Sequence, residues 1–115
     1  MLAEDDLTMV ALLKTLLGME GYQVIALNPN DNVYESALKD QPDVLLLDIH
    51  LPQDNGLDIL DRLRQDEKTK TLKVIMTSGL NLENECISHG ANDFLLKPFM
   101  PDDLLSILKQ TLNPS

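Results

Sequence analysis

The segment from Asp43 to Gly56, Asp-Val-Leu-Leu-Leu-Asp-Ile-His-Leu-Pro-Gln-Asp-Asn-Gly, restricts the possible folds of this chain more than any other stretch. Val44 to Leu47 are unbroken aliphatics, which suits a strand covered on both faces of a parallel sheet, because a half-exposed strand alternates apolar with polar residues. Periodicity alone does not separate so short a run from a buried helix. Pro42 before it and Pro52, Asp54, Asn55 and Gly56 after it bound it as a strand. Asp48 then stands at a strand's carboxyl end, the edge at which open α/β sheets bind their ligands.

The 115 residues suffice for one domain with one core, expected to span 1–115. No apolar stretch approaches the ~20 residues needed to span a bilayer. The first residues lack the basic flank and apolar core of a signal peptide, so a cytoplasmic location away from membranes is expected. A net charge of −10 without any cluster of Lys and Arg argues against direct binding of nucleic acid. In so acidic a protein an anionic substrate needs a cation beside it. The lone Cys86 cannot form an internal disulfide and reads as a small core hydrophobe.

Taken in order, Met1 to Ala3 form a very short first strand that runs into Glu4, Asp5 and Asp6. Met9 to Leu17 carry apolar residues at helical spacing, with Asp5 or Asp6 available as the N-cap. Gln23 to Leu27 read as the second strand, and a helix with Val33, Ala37 and Leu38 on one face follows. Val44 to Asp48 make the third strand. Gly56 opens a third helix with a Leu57, Leu60 and Leu63 stripe, its charged residues Asp58, Asp61, Arg62 and Arg64 facing water; Gln65 to Lys70 read as a solvated end. Leu72 to Met76 are the fourth strand, a fourth helix carries Leu82, Cys86 and Ile87, and Phe94 to Leu96 are the fifth strand. A last helix starts near Asp102. Alternating strands and helices imply a parallel sheet with right-handed crossovers. The expected architecture is α/β: a flavodoxin-like, doubly wound, five-stranded parallel sheet of strand order 2-1-3-4-5.

In that order the first and third strands are neighbours, so Glu4, Asp5 and Asp48 converge. Three carboxylates in one place repel unless one is protonated or a cation joins them. A hard divalent ion with oxygen ligands, Mg²⁺ above all, answers that need. Thr77 after the fourth strand adds a hydroxyl, and Lys97 after the fifth adds a positive charge. A nucleophilic carboxylate, a metal and donors for phosphoryl oxygens are the parts needed to transfer a phosphoryl group onto Asp48.

With Glu4-Asp5, Asp48-Ile-His-Leu-Pro and Gly56, Thr77-Ser78, and Lys97-Pro98-Phe99 in this order, the chain resembles the receiver domain of two-component response regulators, the CheY-like superfamily. The resemblance implies a switch rather than an enzyme. Asp48 would accept a phosphoryl group from a sensor histidine kinase or phosphotransfer protein. Asp5 and Asp48 would bind Mg²⁺ directly, Glu4 through water, and His50 through its backbone carbonyl. Lys97 would pair with the phosphoryl oxygens. Thr77 would swing toward the phosphate and Phe94 would turn inward, reshaping the surface of the fourth helix, fifth strand and fifth helix for a downstream output domain or protein, or for homodimerisation. Phe94 stands where the family more often has Tyr, and the first strand is shorter than usual.

His50 lies two residues from Asp48, but side chains at consecutive strand-end positions diverge, which disfavours a catalytic imidazole. His89 fits a helix C-terminus, and Asp6 fits a helix cap better than a metal ligand. One competing function is a metal-dependent phosphohydrolase working through an aspartyl-phosphate. Haloacid-dehalogenase-like enzymes of that class carry an Asp two residues after the nucleophile, where this chain has His50. A flavin or nucleotide module on this fold would have a glycine-rich first loop, not Glu4-Asp5-Asp6. A phosphorylation-independent interaction module would typically have lost Asp48 or Lys97.

Overall fold

A computed structural model describes residues 1–52 and 54–113. Gln53, within the turn cluster expected after the central strand, and Pro114 and Ser115, at the end of the expected domain, lie outside the described residues. The described residues form a parallel sheet of β1 (Leu2–Ala3), β2 (Val44–Asp48), β3 (Lys73–Ser78) and β4 (Asp93–Leu96), in that spatial order. Helices α1 (Leu7–Met19), α2 (Val33–Asp40), α3 (Gly56–Gln65), α4 (Glu83–Ser88) and α5 (Pro101–Leu112) intervene. The last two strands are thus the fourth and fifth of the sequence reading.

The second expected strand, Gln23–Leu27, is seen only as a single parallel bridge, Leu2 to Ala26, beside the four-stranded ladder. Its backbone bonds are Leu2 N–H to Ile25 O at 2.8 Å and Leu27 N–H to Leu2 O at 3.0 Å. The reason is the length of β1, in which Leu2 alone pairs toward that side.

The aliphatic run at Leu45–Leu47 is buried on both faces, and its alternation sorts the core into two layers. Leu45, Leu47 and Ile49, with Val74, Met76 and Phe94, meet Val33, Ala37, Ile59, Leu60, Leu63 and Cys86 of α2, α3 and α4. Leu2, Leu46, Ile75 and Leu95 face the other way, onto Leu13 and Leu17 of α1 and Leu104 and Leu108 of α5. Strand side chains alternate between faces, so one uninterrupted apolar run serves two helical layers.

Polar residues set the helix ends. The Asp6 carboxylate accepts from the N–H groups of Thr8 at 3.0 Å and Met9 at 3.2 Å, and Asn55 accepts from Leu57 N–H at 2.8 Å. The expected solvated stretch after α3 is exposed at Gln65, Glu67, Lys68 and Lys70, with two residues tied back to the fold. Thr69 is buried, its hydroxyl donating to Leu63 O at 2.6 Å, and Asp66 accepts from the Tyr34 hydroxyl at 2.5 Å. Arg62 stacks 4.2 Å over that Tyr34 ring, so α2 and α3 are joined by polar as well as apolar contacts. Among the described residues no helix is long and apolar enough to cross a membrane.

Gly56 fixes how α3 leaves the sheet. Its N–H donates to Ile49 O at 2.7 Å, and a Cβ there would stand 2.6 Å from Asp48 O and 2.7 Å from Ile49 Cα. Backbone atoms cannot yield as a flexible side chain does, so Gly56→Ala is expected to destabilise the fold by about 1–3 kcal/mol. Gly18 in α1 has nothing within 4 Å of such a Cβ, and Gly18→Ala is expected to be stabilising by about 0.5–1 kcal/mol. Urea unfolding followed by far-UV circular dichroism measures both, and a neutral Gly56→Ala would refute the close-packing explanation.

Candidate functional site

The carboxyl ends of β1, β2, β3 and β4 bring the sequence-predicted residues to one edge of the sheet. Glu4 and Asp5 follow β1 directly, and Asp48 ends β2. One oxygen from each of the three carboxylates can be chosen so that all lie within 4.8 Å of one another. Glu4 and Asp48 are buried while Asp5 is exposed, so the cluster has a closed side and an open side.

Lys97, one residue beyond β4, supplies the closed side. Its Nζ donates to Asp48 Oδ2 at 2.9 Å and to Glu4 Oε1. The two carboxylate side chains are each 5% exposed and the Lys97 side chain 20%, so these ion pairs form largely out of water. Burial raises the proton affinity of Glu4, opposed by the hydrogen bond from Lys97. Burial would also weaken the ammonium form of Lys97, but its bonds to Glu4 and Asp48 outweigh that and hold its pKa above the usual lysine range.

The remaining oxygen positions are tied to backbone. Glu4 Oε2 accepts from Asp6 N–H at 3.1 Å, and Asp48 Oδ1 accepts from His50 N–H at 3.1 Å. Asp6 itself caps α1 and is absent from the carboxylate cluster, in line with its reading as a cap. The imidazole of His50 is on an exposed residue, and it is the backbone of His50 that lies against Asp48.

Thr77 pairs with Asp48 in the β2–β3 register and is buried; its carbonyl accepts from Ile49 N–H at 3.0 Å. Ser78 is fully buried, its Oγ accepting from Leu80 N–H at 3.0 Å. Phe94 pairs with Met76 in β4 and is packed in the core with Cys86 and Ala91. Burial lifts the Cys86 thiol to about 11, which leaves it an unreactive core residue.

Two parts of the arrangement lay outside the sequence reading. Lys97 binds Glu4 as well as Asp48, a contact only the assembled sheet reveals. Gly56 acts on the site by letting α3 approach the Asp48 backbone, and its signal was a glycine at the start of a helix where a cap or a good helix former is the ordinary choice.

Three carboxylates against one ammonium leave an excess of negative charge at an oxygen-only donor set, which fits a hard divalent cation. Thermal unfolding with and without millimolar MgCl₂ tests the fit. The wild-type Tm is expected to rise with Mg²⁺ by linkage. Asp5→Asn is expected to melt at or slightly above the metal-free wild type, having lost one repelling charge, and to gain nothing from Mg²⁺.

A model of the response regulator receiver domain matches residues 1–109 of the chain. The transcriptional regulatory protein CpxR of Escherichia coli is 35% identical over 116 residues, covering 100% of this chain and 49% of that protein. The phosphate regulon transcriptional regulatory protein PhoB of Pseudomonas aeruginosa is 29% identical over 115 residues, covering 97% and 50%. The chain therefore spans about half the length of the curated relatives it matches. Among solved structures, the receiver domain of a sensor histidine kinase from Pseudomonas aeruginosa, with a magnesium ion coordinated in its active-site cleft, superposes with a TM-score of 0.85. It is 27% identical, with 96% of this chain and 93% of that chain covered. The chemotaxis response regulator CheY4 of Vibrio cholerae gives a TM-score of 0.86 at 26% identity, covering 96% of each chain.

Proposed function

Because the chain belongs to the response regulator receiver domain family, we propose that Asp48 is its phosphoacceptor, taking a phosphoryl group from a sensor histidine kinase or phosphotransfer protein. The single observation that carries this reading is the position of Asp48, buried at the end of β2, bonded to Lys97 and clustered with Glu4 and Asp5. In the reaction a carboxylate oxygen of Asp48 forms a bond to phosphorus as the phosphorus–nitrogen bond of a phosphohistidine donor breaks. Asp5, Asp48, Glu4 through water and the backbone carbonyl of His50 would hold Mg²⁺. Bound there, it would offset the negative charge of the acids and of the incoming phosphoryl oxygens.

Lys97 is the chain's own contribution to charge balance. Its ammonium already lies on Asp48, so it is in place to pair with a phosphoryl oxygen once Asp48 is modified. Thr77, beside Asp48 in register, is the hydroxyl that would follow the phosphate, and Phe94, next along the same sheet, the ring that answers it. The response would reach α4, β4 and α5, the surface offered to an output domain, a target protein or a second copy of the chain. As a member of this family the domain works as a switch rather than as an independent enzyme.

The Leu2–Ala26 bridge lies on the side of β1 away from β2, which supports placing Gln23–Leu27 second in a strand order of 2-1-3-4-5. The family match over residues 1–109 supports a single receiver domain over the chain. A cytoplasmic site of action accompanies this reading, because kinases draw their phosphoryl groups from cytoplasmic ATP.

Intact-mass spectrometry after incubation with acetyl phosphate and MgCl₂ is expected to show one added phosphoryl group on the wild type and none on Asp48→Ala. Label persisting on Asp48→Ala would overturn Asp48 as the acceptor, and steady hydrolysis of a simple phosphoester by the wild type would favour a phosphohydrolase. Lys97→Ala is expected to lose most of the phosphorylation-induced chemical-shift change in α4, β4 and α5.

A further inference from the structure

Of the five helices, α4 buries the fewest residues. It has six residues, buries Cys86 alone, and its N-cap residue Leu82 makes no side-chain capping bond. Backbone hydrogen bonds do not stabilise so short a helix by themselves. Its C-terminal end is instead held by two side chains of α3 that the sequence placed in water. His89, the C-cap residue, has Nδ1 2.7 Å from Asp61 Oδ1, so the ring N–H donates to the carboxylate.

One residue on, Gly90 O accepts from Arg64 Nε at 2.9 Å. Arg64 also donates through Nη2 to Asn92 Oδ1 at 3.1 Å, and through Nη1 to the carbonyls of Thr69 and Lys70, each at 3.3 Å. Asn92 Oδ1 accepts in addition from Val74 N–H at 2.8 Å, which ties the turn to the start of β3. Gly90 has φ +106°, and a Cβ there would come within 3.1–3.3 Å of the Arg64 side chain. The turn between α4 and β4 is therefore closed around the guanidinium. Asp61 and Arg64 are three residues apart and so share one face of α3. The other end of that helix, Gly56, rests on the backbone of Asp48.

We propose that Asp61 and Arg64 form a latch holding the α4–β4 turn against α3, so that α3 links the Asp48 end of the sheet to α4 by a route separate from Thr77 and Phe94. The latch is a property of the unmodified domain; its regulatory meaning rests on Asp48 being the phosphoacceptor.

Hydrogen–deuterium exchange on the 115-residue chain, without Mg²⁺ or phosphoryl donor, tests the latch directly. Asp61→Ala is expected to speed exchange over residues 83–92 about fivefold, as loss of one hydrogen bond of ordinary strength would. The double variant Asp61→Ala/His89→Ala is expected to go no further, and β2 and β3 to keep their wild-type protection. Arg64→Gln, which removes several bonds at once, is expected to exceed Asp61→Ala over the same residues. Unchanged exchange at 83–92 in Asp61→Ala, or acceleration spread equally over β2 and β3, would overturn the latch. A second arm adds acetyl phosphate and MgCl₂, and the further change at 83–92 is expected to be smaller in Asp61→Ala than in the wild type. A wild type that takes up no phosphoryl group would refute the phosphoacceptor reading, while the first arm still decides the latch.

Discussion

Lys97 Nζ joins the ends of three strands, reaching Glu4 after β1 and Asp48 at the end of β2 from its own position after β4. Without a cation, two buried carboxylates side by side would repel each other and lose their hydration, and the sheet edge would open or take up a proton. With the ammonium present, both acids stay in place, and the exposed Asp5 completes an oxygen cluster on the side facing solvent. The same contact makes the edge responsive, since any new charge on Asp48 must compete for the ammonium now shared with Glu4.

That edge is precise because of what lies behind it. β2 and β3 are paired over Val44–Asp48 and Lys73–Thr77, and their inner residues are almost wholly excluded from water. Truncating a buried leucine of this kind costs about 2–5 kcal/mol, so a shift of register to relieve the acids is far costlier than accommodating them. Asp48 and Thr77 are consequently neighbours by construction. Gly56 extends the same economy of space to α3, which starts where no side chain would fit.

Much of this was legible in the residues. The run Val44–Leu47 announced a strand buried on both faces, and the acids and Lys97 fell at strand ends because each apolar run stopped there. What was not legible shares one cause. Gln23–Leu27 has the pattern of a strand, yet pairing is a property of two segments, and β1 has only Leu2 to offer that side. Arg64, Asp61 and Thr69 look like the wet face of a helix and its solvated end, but carbonyls and a histidine from distant turns converge on them. Polar contacts of that kind leave no periodic trace, because their partners are set by tertiary geometry rather than by spacing along the chain.

The resulting structure is unevenly held, and the unevenness has a direction. Around Asp48 the sheet is dense and the oxygens of Glu4 and Asp48 are paired. Around α4 a single buried cysteine, the neighbouring strand β4 and a few polar bonds to α3 do the holding. Elements that bury little apolar surface are the ones that open at least cost, and α4 buries the fewest residues of the five helices. The buried acids thus lie where the sheet is most densely packed and the shortest helix lies at a distance from them, with β3, β4 and α3 spanning the interval.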